Sequence, residues 1–136
     1  MQEYFFFRID GKYVKIYFHE INYIEGCRNY LKIISDKKKY MVLMTMKRIL
    51  EILPKSDFQR IHKSYIVSLN KVAAFDKDTA LLCGQELPIG HQYRNVLENI
   101  FIIATEHSNQ LINKKPLITM KSLSYRNQQI SLTGIG

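Results

Sequence analysis

The chain is 136 residues long, 46% hydrophobic, and sets 20 lysines and arginines against 12 acidic residues, for a net charge of +8. That length suits one domain with room for an appendage, and the apolar fraction suffices for a buried core. No run reaches the roughly 20 apolar residues of a membrane span, and the apolar cluster at residues 1–7 has neither a basic flank nor a cleavage site, so no signal peptide is read and the cytoplasm is the expected compartment.

Taken in chain order, short alternating segments separated by turn signals run to about residue 101, the pattern of a mainly β domain. Phe5–Ile9 leads into Asp10-Gly11, a strong hairpin signal. Tyr13, Lys15 and Tyr17 then alternate with Val14, Ile16 and Phe18, which puts the apolar set on one face. A strand at Ile21–Glu25 is expected to break at Gly26-Cys27-Arg28-Asn29. Tyr30–Ile34 follows, turns through residues 35–38, and returns as Tyr40–Met44. Thr45 suits a helix N-cap, Met46, Ile49, Leu50 and Leu53 fall at helical spacing, and Pro54 stops the run. Strands resume at Phe58–Ile61, Tyr65–Leu69, Val72–Asp76 and Thr79–Cys83, and Gly84 turns the chain into Glu86–Ile89. Tyr93, Val96, Leu97 and Ile100 recur at i, i+3, i+4 and i+7, predicting a short amphipathic helix.

Residues 102–136 differ in character. They carry four basic residues against one acid, Glu106, and are rich in Asn, Gln and Ser. Strands are conceivable at Ile118–Leu123 and Gln129–Leu132, but no role follows from this polar, basic tail. The expected division is therefore a domain over 4–101 followed by the tail.

The chemistry-bearing residues exclude more than they assign. Cys27 and Cys83 stand far apart in no CxxC arrangement and read as reduced thiols. His19, His62, His91 and His107 show no metal-ligand spacing, so neither a metal nor a cofactor is expected. Glycine-rich phosphate loops, nucleophile elbows and paired carboxylates are missing from the sequence, and an enzyme is not expected. The positive charge attracts polyanions and supplies non-specific phosphate affinity.

Four stretches together carry a resemblance to a known family. The first is Ile21-Asn22-Tyr23-Ile24-Glu25-Gly26 with Arg28-Asn29-Tyr30-Leu31-Lys32-Ile33 after it; the second is residues 46–54, Met46 to Pro54. The third and most specific runs from Phe58 through Arg60-Ile61-His62-Lys63-Ser64 to Val67, and the fourth is Leu87-Pro88-Ile89-Gly90 followed by Tyr93-Arg94. They stand in order across nearly all of 4–101, and together they resemble the LytTR family of bacterial DNA-binding domains. The resemblance implies an elongated arrangement of small antiparallel β-sheets with one or two short helices, whose edge loops enter successive major grooves of paired direct repeats. It also implies the C-terminal output domain of a two-component response regulator that regulates transcription, with a receiver domain and a sensor kinase that these residues do not encode. A second copy on DNA is a further expected partner; a membrane is not.

Carried over residue by residue, the resemblance places Arg28, Asn29 and Tyr30 in one base-reading loop, His62, Lys63 and Ser64 in a second contact element, and Arg94 with His91 and Gln92 in a third. Two departures stand out: Ser68 where the family often has Asn, and Gly90 where it often has Ser, which removes a side-chain cap and leaves a backbone N–H. The residue types suit the task, since Arg pairs with guanine O6 and N7, Asn with adenine N6 and N7, and Lys and Ser with phosphate. Each residue also has a plainer reading. Arg28 and Asn29 fit an ordinary turn, His62 a hydrogen-bonded structural histidine, Arg94 a solvated helix surface, Tyr93 the core, and Lys37-Lys38-Lys39 a solvated hairpin. For the whole chain, an OB-type single-strand binder using exposed tyrosines and a protein-interaction module remain alternatives.

Overall fold

A computed structural model describes residues 2–101 together with 103 and 104; the possible strands in the tail lie outside the described residues. The strands are β1 (Tyr4–Ile9), β2 (Lys12–Tyr17), β3 (Ile21–Cys27), β4 (Tyr30–Ser35), β5 (Lys39–Leu43), β6 (Phe58–His62), β7 (Tyr65–Ser68), β8 (Val72–Phe75), β9 (Thr79–Leu82) and β10 (Gln85–Pro88). Two short helices, α1 (Met46–Ile52) and α2 (Val96–Ile100), accompany them, with single 3-10 turns at Phe18–Glu20, Leu69–Lys71 and His91–Tyr93. The chain divides into two compact units, one ending at Lys71 and one starting at Val72.

The first unit holds the β1–β2 hairpin and an antiparallel five-stranded sheet in the order β5-β4-β3-β7-β6. Asp10 and Gly11 both take positive φ (50° and 76°), the two-residue turn whose twist matches its strands. Alternation does the rest. Phe7 and Ile16 point from the hairpin into one core with Ile24, Leu31, Ile33, Val42 and Ile66 of the sheet and Ile49 and Leu53 of the helix segment. Burying each such side chain stabilises the fold by about 1.5–3 kcal/mol. Thr45 caps α1 as expected, its Oγ1 accepting from the Arg48 N–H at 3.1 Å. Asn22, one of two buried polar residues among those described, is satisfied from both ends: it donates to Asp36 Oδ1 at 2.9 Å and accepts from Lys71 Nζ at 2.6 Å.

The second unit is a three-stranded antiparallel sheet, β10-β9-β8, with α2 following. Cys83 and Gly84 form another two-residue turn with positive φ at both positions (51° and 75°). Ala80, Leu82, Leu87 and Leu97 are buried, and the Phe75 and Phe101 rings meet at 5.7 Å.

Differences from the sequence reading are local. Gly26 and Cys27 continue β3 instead of breaking it, because Cys27 pairs with Tyr30 and leaves only Arg28 and Asn29 for the turn. The closing helix is two pieces, a 3-10 turn at His91–Tyr93 and α2, with Arg94 and Asn95 between them. Phe18 and Leu69 leave their strands for 3-10 turns while staying buried. Among the described residues no helix is long and apolar enough to cross a membrane.

Candidate nucleic-acid interface

Two of the three candidate clusters come together in the first unit. The β3–β4 turn (Arg28, Asn29) and the β6–β7 turn (Lys63, Ser64) lie at the same end of the sheet because β3 and β7 are neighbours, with Glu25 opposite Tyr65. A backbone hydrogen bond from Gly26 N–H to the Ser64 carbonyl, 2.8 Å long, ties one turn to the other. Arg28, Asn29, Tyr30 and Lys63 are exposed there, while His62 and Ser64 are half-buried.

The β3–β4 turn is strained at the residue expected to read bases. Arg28 takes φ 59°, and Asn29 does not share the positive sign. A left-handed conformation costs an L-residue about 1–2 kcal/mol, and glycine would take it freely. The plainer reading of Arg28 as an ordinary turn residue therefore leaves its identity unexplained, although Asn29 fits either role.

The β6–β7 turn is held from inside. Arg60 reaches its guanidinium forward along β6 to the turn: Nε donates to the His62 carbonyl at 3.2 Å, and Nη2 donates to the Lys63 carbonyl. His62 Nδ1 accepts the Ser64 N–H at 3.0 Å, which requires that nitrogen to be unprotonated. The His62 ring thereby supports the loop from within. Tyr65 donates its hydroxyl to Glu25 Oε2 at 3.2 Å and stacks near His62, ring centroids 5.6 Å apart. Burial, then the nearby Glu25 carboxylate, raises the Tyr65 phenol above its ordinary value of 10.0. The carbonyls of the turn are consequently spoken for, and Lys63 extends free of them.

The third cluster belongs to the second unit. Gly90 caps the 3-10 turn at His91–Tyr93 through its carbonyl, which accepts from Tyr93 N–H at 2.8 Å, with no side-chain cap. His91 and Gln92 are exposed, and Tyr93 is half-buried, not fully in the core. Arg94 is not simply solvated. Its Nη2 meets Asp78 Oδ1 at 3.4 Å, and its Nε is buried with no hydrogen-bond partner among the described residues. The pair is open to solvent (39% and 77% exposed), so it contributes little to stability and exchanges readily for another anion. Asp76 organises the preceding turn, accepting from the Asp78 and Thr79 N–H groups at 2.8 Å each; these bonds hold its carboxyl below the usual 3.8.

Sequence reasoning missed Arg60 and Asp78. Arg60 lies inside the most specific motif, but its role depends on side-chain bonds to the His62 and Lys63 carbonyls that only the β6–β7 geometry reveals. Asp78 sits 16 positions before its partner, and nothing in the intervening sequence links them. Among the described residues no group of three or more His, Cys, Asp or Glu side chains could hold a metal, and Cys27 and Cys83 form no disulfide.

Comparison with known proteins bears on the family and the fold. No curated protein matches the chain. A solved structure described as the LytTr DNA-binding domain of a methyl-accepting/DNA response regulator from Bacillus cereus has a TM-score of 0.61 at 19% identity, over 72% of this chain and 95% of that one. That likeness is one of fold. The model of the LytTr DNA-binding domain matches residues 11–102, well over half of the sequence, and the chain accordingly belongs to the LytTR family of DNA-binding domains.

Proposed function

We propose that this chain reads duplex DNA sequence-specifically as the effector part of a two-component response regulator, recognising paired direct repeats. The observation that supports it most is the pairing of the Arg28-Asn29 and Lys63-Ser64 turns, joined by the Gly26–Ser64 hydrogen bond and stiffened by Arg60. Side chains on a pre-formed turn lose little conformational freedom on binding, so contacts to bases and phosphates appear as affinity and specificity. Arg28 and Asn29 take base-reading roles, with Tyr30 beside them; Lys63 and Ser64 take phosphate, and His62 presents Nε2. His91, Gln92 and Arg94 form a further contact set, in which Arg94 leaves Asp78 for DNA.

The response-regulator role draws on the description of the Bacillus cereus neighbour, and it implies a receiver domain, a sensor kinase and a cytoplasmic location. Two copies on adjacent repeats would raise effective concentration and sharpen site choice.

Competition binding tests the proposal. A duplex with two direct repeats, selected from a random library, should outcompete a scrambled duplex of equal length. Affinity should fall with salt by about 0.9 log units per log unit for each phosphate neutralised. Equal affinity for selected and scrambled duplexes would remove sequence reading, and a flat salt response would remove DNA as the ligand. One copy saturating a two-repeat site would remove the paired arrangement alone.

A further inference from the structure

We propose that the outward face of the β1–β2 hairpin is a second nucleic-acid site, a stacking platform for unpaired single-stranded DNA. The register puts Tyr4 opposite Tyr17, Phe6 opposite Lys15 and Arg8 opposite Tyr13. All six side chains share the face that the core does not use, since Phe7 and Ile16 alternate with them and point inward. Large rings stand in solvent here: Tyr4 is 36% exposed, Phe6 49% and Tyr13 69%.

Phe6, Tyr4, Tyr17 and His19 form a row of ring contacts, and Tyr13 stands beyond it next to Arg8. Tyr4 lies 6.0 Å from Phe6 and 5.6 Å from Tyr17, and Tyr17 lies 5.5 Å from the His19 ring. Cations are interleaved with them. Lys15 Nζ sits 4.4 Å from the Tyr4 ring centre, 5.6 Å from Phe6 and 5.5 Å from Tyr17, and the Arg8 guanidinium 5.1 Å from Tyr13. None of the six positions is acidic.

This composition selects among polyanions. An acidic peptide would satisfy Lys15 and Arg8 but offer the four rings nothing flat to stack on. Duplex DNA hides its base faces. A single strand presents both phosphates and free base faces, at spacings that suit a row of rings. DNA is preferred over RNA because an opened strand of the proposed duplex ligand is close at hand; on that point alone the inference rests on the proposed function. β1 precedes the segment that the family model matches, so half of the row lies outside it.

Fluorescence anisotropy of a labelled oligothymidylate with the full chain tests this. Wild type should bind, with quenching of tyrosine emission. Tyr13→Ser should weaken binding at least about fivefold, while Tyr13→Phe retains it. Lys63→Ala, by contrast, should weaken binding of a selected duplex and leave the oligothymidylate unaffected. If Tyr13→Ser lowers the melting temperature, Lys15→Gln decides instead, because it keeps every ring; it should lower the salt slope for the oligonucleotide. No binding by wild type, equal binding by Tyr13→Ser and Tyr13→Phe, an unchanged slope with Lys15→Gln, or loss with Lys63→Ala would each overturn the proposal. Tighter binding of oligouridylate, or of polyglutamate, would reassign the face and overturn it too.

Discussion

Arg60→Ala isolates what the guanidinium does for the β6–β7 turn. Two hydrogen bonds vanish, to the His62 and Lys63 carbonyls, while the His62–Ser64 and Gly26–Ser64 bonds remain. Only the backbone around Lys63 is therefore released, and re-fixing one residue on binding costs about 1–2 kcal/mol. The expected outcome is a 5- to 30-fold weaker Kd for a cognate duplex at fixed salt, since each 1.4 kcal/mol is tenfold. The salt slope separates this from direct contact. With Arg60→Ala the slope should hold; with Lys63→Ala it should drop by about 0.9. Arg60→Lys keeps the charge but loses the planar fork that spans two carbonyls, so it should behave like Ala. A slope that falls with Arg60→Ala, or full rescue by Lys, would refute the positioning argument and make Arg60 a phosphate contact.

Three other outcomes are expected. Arg28→Gly removes the left-handed strain at φ 59°, so thermal melting should stay level or rise by up to about 1 kcal/mol in stability while cognate affinity falls; a lowered melting temperature would show that the turn is not strained. Asp78→Ala frees Arg94 from its ion pair, and duplex affinity should rise, measured by anisotropy; a fall would mean that Asp78 orients Arg94 for binding. The raised Tyr65 phenol binds its proton more tightly folded than unfolded, so its stabilisation is complete below the unfolded value near 10 and is lost as pH rises through the folded one. Denaturation midpoints of wild type and Tyr65→Phe should therefore converge at alkaline pH, and parallel curves would contradict the assignment.

Strand existence was legible where inward and outward residues alternate, as at Val14 and Ile16 of β2 or Leu31 and Ile33 of β4, and from apolar runs bounded by turn residues, as in β3. Turn chemistry was legible at Asp10-Gly11, where the residue pair demands positive φ. Gly26 misled because glycine usually ends a strand, yet here it lies beside Ser64 and Met46 at ordinary contact distance and needs no special backbone. The closing helix misled because the spacing of Tyr93, Val96, Leu97 and Ile100 fits equally a 3-10 turn followed by one turn of α-helix. Charged candidate tips such as Arg28, Lys63 and Arg94 were legible by residue type. Those acting through the backbone, such as Arg60, or through a distant pair, such as Asp78, leave no local signature.

The single hydrogen bond from Gly26 to Ser64 has an evolutionary corollary. Because it joins two turns that are nearly 40 residues apart in the chain and that, under the proposed function, contact DNA together, substitutions in them should show strong epistasis instead of summing. A lineage acquiring a new operator must then explore both turns jointly, and variants that look neutral in one background become permissive or lethal in another.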